Sequence, residues 1–259
     1  MGVNSPIFNQ ALIPLQKHIS KADELRDSFG RTDLYSTGSK QLDEYLGGGF
    51  GRKNSGYEMV LIYGPSGSGK SLLGLNMMLD PILKGLNVGL MVLEDEPADV
   101  VNRMRVMTDG EIDNQHNVFF ADEQNNGYTL EQALTAIEEW FSVCDIVLLD
   151  HLEYLFAGSV GESERNQFQK QEVWMRHLNG LMKRTGKTIV MIQHVNKSNS
   201  DGVDKIKGSS AFVQTCSKVI EMKRNTDGNW SLKLQKTRFT PFRSAWFDIG
   251  IDRFKLKEL

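Results

Sequence analysis

At 259 residues, with 40% hydrophobic and 24% charged residues, the chain has enough material for one large α/β domain and a short appendage, but not for two full domains. A formal net charge of −3 excludes a surface coated in basic patches, while leaving room for a narrow basic channel. No apolar run approaches the roughly 20 residues that span a bilayer. The start MGVNSPIFNQ also lacks a basic stretch followed by an apolar one, so the expectation is a cytoplasmic protein with no membrane role.

The segment PIFNQALIPLQKHISKADELRDSF is helix-prone, with Ile7, Leu12, Ile13, Leu15, Ile19 and Leu25 as its apolar positions and Pro14 as a kink. Residues 1–30 are therefore expected to be an arm or linker used in oligomerisation, and residues 31–259 the compact domain. Gly47, Gly48 and Gly49, followed by the polar stretch Gly51 to Gly56, predict a flexible loop. Beyond it strands and helices alternate. Strands are predicted at Met59 to Tyr63, Val88 to Leu93, Val118 to Phe120, Ile146 to Leu149 and Thr188 to Ile192. Helices are predicted from Lys70, from Pro97, over Leu130 to Phe141 and from about Ser163 to Arg184. This alternation implies a mainly parallel sheet flanked by helices on both faces, with ligands at the carboxyl ends of the strands. After Ser210, Val219 to Met222, Trp230 to Gln235 and Ala245 to Ile249 read as successive strands, an antiparallel extension of the sheet. Cys144 and Cys216 belong to no CxxC pair and read as small core residues.

GPSGSGKS, Gly64 to Ser71, fits GxxxxGK[ST] and stands between an apolar strand and a helix. Gly64, Gly67 and Gly69 let the backbone around Pro65, Ser66 and Ser68 curl so that successive amides, up to Leu72 in the first helical turn, face phosphate oxygens. Lys70 supplies positive charge and Ser71 a hydroxyl ligand for Mg2+, so ATP with magnesium is the expected cofactor. Asp150 ends the buried run Ile146 to Leu149, where a carboxylate can hold the magnesium shell; the alternative is a surface aspartate ending a strand. Glu94 closes its strand in MVLEDEP as a candidate base for the attacking water, with Asp95 and Glu96 as rivals. His194, after Gln193, can touch the γ-phosphate, although a lone histidine at a strand end also serves structural ends.

These motifs, together with IVLLDH followed by GESER, VMIQHVNKS, IKGSSAFVQ and LQKTRFTP, resemble RecA-like motors of the replicative helicase group, bacterial DnaB and the helicase half of phage primase-helicases, from about Tyr35 to Phe247. The resemblance implies a RecA-like P-loop ATPase core, with Glu94 as catalytic glutamate, Asp150 at the metal, His194 as phosphate sensor and Gln214 in a switch segment. Lys236 and Arg238 resemble the basic pair that such motors insert into the neighbouring subunit's ATP site; alternating charges on an edge strand fit the same residues. NKSNSDGVDKIKG resembles the central DNA loop, in which Lys197, Asn199, Lys205, Lys207 and Gly208 would hold phosphates of single-stranded DNA; by itself it is an ordinary solvated loop. A homo-oligomer, a hexameric ring, and a primase or replisome partner follow from the same resemblance. The chain lacks a primase half and a zinc module, and STGSKQLDEYLGGGF, Ser36 to Phe50, is more similar to RadA-type recombination ATPases. A recombination or branch-remodelling ATPase and a KaiC-like nucleotide-switched binding module therefore stand beside the helicase reading. Replacing Lys70 with Ala is expected to abolish phosphate release from ATP in a steady-state assay.

Overall fold

A computed structural model describes residues 34–52, 56–93, 95–113, 116–120, 130–152, 164–195, 210–238 and 245–258. The elements in chain order are α1 (Lys40–Tyr45), β1 (Glu58–Gly64), α2 (Lys70–Leu83), β2 (Val88–Val92), α3 (Pro97–Met107), β3 (Val118–Phe120), α4 (Leu130–Val143) and β4 (Ile146–Asp150). They continue with α5 (Glu164–Thr185), β5 (Thr188–His194), α6 (Ala211–Thr215), β6 (Lys218–Arg224), β7 (Trp230–Thr237), β8 (Trp246–Asp252) and β9 (Lys255–Lys257).

All the strands join one sheet in the order β3-β2-β4-β5-β1-β6-β7-β8-β9. Pairing is parallel from β3 to β6 and antiparallel from β6 to β9, so the expected parallel core with an antiparallel extension is what forms. β1, β4 and most of β5 are buried on both faces, which is why they read as continuous apolar runs rather than alternating ones. One core lies between the sheet and α1 to α3, with Ile62, Leu73, Met78, Leu148 and Ile192 among its members. The other lies beneath α4 to α6, where Leu61, Leu149, Trp174, Met191 and Phe212 meet. Both cysteines are buried as expected; burial pushes Cys144 up to about 11 and Cys216 up to about 12. Among the described residues no helix is long and apolar enough to cross a membrane.

Two short helices and one strand escaped the sequence patterns. α1 is only six residues long, too short to show a period, and it forms because its ends are capped. Ser39 Oγ accepts from Leu42 N, while the Asp43 carboxylate accepts from Ser36 Oγ, Thr37 N and Thr37 Oγ1. The glycine run that follows is held in place rather than loose. Gly48 N donates to Asp43 O at 2.7 Å, and Gly49, at φ +126°, packs against the Tyr35 carbonyl so closely that a side chain would collide with it. α6 is one turn of helix ahead of β6, and β9 completes a hairpin with β8 that docks on α2. There the buried Asn76 donates from Nδ2 to Phe254 O and accepts from Leu256 N. The arm 1–30 lies outside the described residues.

A buried ion pair ties the glycine run to the sheet. Lys218 Nζ donates to Gly49 O at 2.7 Å and stands 3.7 Å from Glu58 Oε1, and Glu58 in turn accepts from Gly51 N. Burial pulls the Lys218 ammonium below its ordinary pKa, and Glu58 opposes that shift. Removing one partner leaves the other charge buried alone, so Lys218→Ala is expected to lower unfolding free energy by about 3–5 kcal/mol in denaturant titration. The double variant Glu58→Gln, Lys218→Met should recover most of that loss.

Candidate functional site

The site assembles at the carboxyl edge of the parallel strands. β1 ends in Gly64, and residues 65–69 turn directly into α2, whose first residue is Lys70. Parallel register places Gly64 opposite His194 on β5 and Val92 opposite Asp150 on β4. Because strand side chains alternate between faces, Asp150 and His194 fall on the α2 side of the sheet, with Leu148 and Ile192 two residues behind them in the α2-side core.

The loop's shape rests on left-handed glycines. Gly67 has φ +74° and Gly69, which caps α2 without a side-chain hydrogen bond, has φ +95°. Among the described residues nothing lies within 4 Å of the Cβ position of Gly67, whereas a Cβ on Gly69 would stand 2.6 Å from Trp230 Nε1. Trp230, buried at the start of β7, thus forms the floor of the loop. Lys70 is buried, donates from Nζ to Pro65 O at 2.8 Å, and stands 3.4 Å from His194 Nδ1. Ser68 Oγ is buried in the loop with no hydrogen-bond partner among the described residues. The amino end of α2, an unpartnered hydroxyl, an ammonium and the open side of Gly67 make a cradle that fits a chain of phosphates.

Asp150 is buried at the end of β4, not displayed on the surface. Among the described residues no group of three or more His, Cys, Asp or Glu forms a metal cage. Asp150 and Ser71 are the carboxylate and the hydroxyl that could hold a magnesium ion, with water and phosphate oxygens completing its shell. The next residue, His151, is also buried, and its ring meets His194 edge to face with centroids 4.4 Å apart. The sequence contains this neighbour in IVLLDH, yet only the fold shows that the two rings touch.

Of the three rival carboxylates, Asp95 pairs with Arg103 at 2.8 Å, and Glu96 occupies the N-cap of α3 without bonding its amides. Glu94 lies outside the described residues, as does the loop with Lys197, Asn199, Lys205, Lys207 and Gly208. Gln214 sits near the end of α6, exposed, with Nε2 donating to Ser210 Oγ at 3.4 Å.

Lys236 and Arg238 are not at this edge. Thr237 pairs with Lys218, and Lys218 pairs with Val60, four residues before Gly64. At about 3.3 Å per residue and 4.8 Å per strand, Arg238 lies about 16 Å down the strands from Gly64 and about 10 Å to the side. Among the described residues β7 pairs with β8 from Trp230 to Lys233.

A mainly parallel sheet of this order, with a phosphate loop leading into its first core helix, defines a P-loop ATPase of the RecA-like type. The chain belongs to the KaiC ATPase family, matching "ATPase: KaiC" over residues 35–255. No curated protein matches it in sequence. Among solved structures, one that consists of an ATPase domain alone is similar with a TM-score of 0.73 at 14% identity, over 99% of this chain and 100% of that one. A DnaB-like replicative helicase, described with its interactions with primase, gives 0.73 at 15% identity over 98% of this chain and 72% of that one. The RadB recombinase gives 0.64 at 18% identity over 87% and 100%. At these identities the likeness is one of fold.

Gly69→Ala should both strain the left-handed cap and drive a methyl group into the Trp230 indole. The expected cost is about 1–3 kcal/mol of stability in thermal or denaturant melts, accompanied by loss of nucleotide binding in a fluorescent-nucleotide titration.

Proposed function

We propose that the protein is the ATP-hydrolysing motor of a homo-oligomeric ring that moves along single-stranded DNA, with strand separation as its activity. In this reading Gly64, Pro65, Ser66, Gly67, Ser68 and Gly69, with the first amides of α2 through Leu72, grip the phosphates, and Lys70 neutralises their charge. Ser71 and Asp150 hold magnesium, which when bound spreads the negative charge that develops on the transferring phosphoryl group. Glu94 orients the attacking water, and His194, in contact with His151 and beside Lys70, senses the terminal phosphate. Arg238, with Lys236 beside it on β7, serves the ATP site of the adjacent subunit. The loop with Lys197, Asn199, Lys205, Lys207 and Gly208 holds the DNA phosphates, and Gln214 on α6 links that loop to the sheet. Residues 1–30 dock on the next subunit, and a primase or another replisome protein is the expected partner.

One observation carries this reading: Arg238 and the phosphate loop of the same chain lie toward opposite ends of the strands, beyond the reach of an arginine side chain. If Arg238 supplies a cation to the transferring phosphoryl group, it does so in a second copy of the chain, which is what this separation supports. The match to the KaiC family favours a second reading, a nucleotide-switched module with slow hydrolysis and a protein partner. Fork unwinding compared with strand exchange separates a helicase from a recombination motor.

The decisive assay mixes inactive subunits. Arg238→Ala alone is expected to lose at least about 100-fold in turnover while still binding nucleotide. Mixing it with Lys70→Ala subunits should restore part of the ATPase, because each interface joining an intact loop to an intact Arg238 is complete. A mixture no more active than the sum of its parts rules out action between subunits. Strong stimulation of the wild-type ATPase by single-stranded DNA supports the motor, and its absence supports the switch.

A further inference from the structure

Two histidines meet at the carboxyl edge of the sheet. His194 ends β5 and is half-buried, whereas His151, directly after β4, is buried. Their rings stand at 87° with centroids 4.4 Å apart, an edge-to-face arrangement in which the positive rim of one ring meets the negative face of the other. The backbone that carries His151 is anchored on both sides: Leu93 N donates to Asp150 O at 2.8 Å, and Leu152 is buried in the core beneath α4 to α6. The His194 ring also has Nδ1 3.4 Å from Lys70 Nζ. An ammonium has donors and no acceptor, so Nδ1 can only accept in this contact, and the proton of the neutral ring then sits on Nε2. The terminal torsion of a histidine is broad, and half a turn about it puts a carbon where Nδ1 stood. The Lys70 contact and the His151 ring therefore bear on the same freedom of His194.

We infer that His151 is a positioning residue for His194: its anchored ring stops the His194 imidazole from turning over, which keeps Nδ1 on Lys70 and leaves Nε2–H as the donor for a phosphate in the cradle. In the sequence His151 is no more than the residue after the aspartate that ends β4. The fold makes it the backstop of a side chain on the neighbouring strand. What it supplies is a flat ring at a fixed place, so an aromatic ring without nitrogens serves the same purpose. This inference rests on the proposed contact of His194 with the terminal phosphate, and its test keeps the two apart.

The test compares His151→Ala, His151→Phe, His194→Ala and the double variant His151→Ala, His194→Ala in two assays. One is steady-state ATPase; the other, free of turnover, is displacement of a fluorescent nucleotide by ADP and by an ATP analogue with nitrogen in place of the last bridging oxygen. His151→Ala is expected to lower kcat about 10-fold and to cut the preference for the analogue over ADP about 3- to 10-fold, with ADP affinity within about twofold. His151→Phe, which keeps the ring contact, should retain most of both. Because the effect runs through His194, adding His151→Ala to His194→Ala should cost nothing further. An equal cost in both backgrounds would mean that His151 acts elsewhere, through Asp150 or the fold, and the inference falls. It falls equally if His151→Phe, melting at the wild-type temperature, is as impaired as His151→Ala; the double-variant comparison decides even where the phenylalanine variant folds poorly. Wild-type turnover and preference in His194→Ala overturn the sensor reading itself, whereas a defect in His194→Ala beside none in His151→Ala overturns this inference alone.

Discussion

Backbone register is the constraint on which the nucleotide end of the molecule depends. β1 runs parallel to β5 over seven paired positions, Glu58 with Thr188 through to Gly64 with His194. A slip of one residue would turn every side chain of a strand to the opposite face, taking His194 away from Lys70 and setting core residues such as Val190 and Ile192 against the wrong helices. Two separate cores enforce the alignment, because Met59, Leu61 and Tyr63 belong to one and Val60 and Ile62 to the other. A strand buried on both faces has no tolerated alternative. The site is therefore positioned by apolar residues that take no part in its chemistry.

The antiparallel extension does different work. β6 runs parallel to β1 toward the phosphate-loop end and β7 returns, so that the end of β7 meets the start of β6 and the end of α6 at the amino ends of the parallel strands. There Lys236 and Arg238 share the Gln214 carbonyl, although only Arg238 is exposed. Charge alone does not separate the two residues.

Much of this architecture was legible before any coordinates, for a physical reason. Strands buried in a parallel sheet are continuous apolar runs, and the helices between them are long enough to show a period, so β1 to β5 and α2 to α5 stand within about two residues of their expected bounds. The phosphate loop was legible because GxxxxGK[ST] is a demand of backbone geometry as much as of chemistry, and Gly67 and Gly69 do adopt positive φ. α1 was hidden because its stability comes from caps such as Ser39 and from Asp43 reaching back to Ser36 and Thr37, which leave no periodic trace. The glycine run after it looked loose because composition does not reveal that Lys218, far along the chain, holds the Gly49 carbonyl. The contacts between His151 and His194 and between Trp230 and Gly69 are likewise products of the fold.

The buried indole beneath Gly69 has a consequence of its own. Trp230 is the first residue of β7, and Arg238 follows the last residue of the same strand. An extended strand is stiff along its length, and eight residue steps carry it about 26 Å. β7 is thus a strut with an aromatic foot against one nucleotide cradle and a guanidinium at its opposite tip. The ladder to β6 slips by one residue at Gln235 on the way, so the two ends of the strut are keyed to the sheet in separate registers.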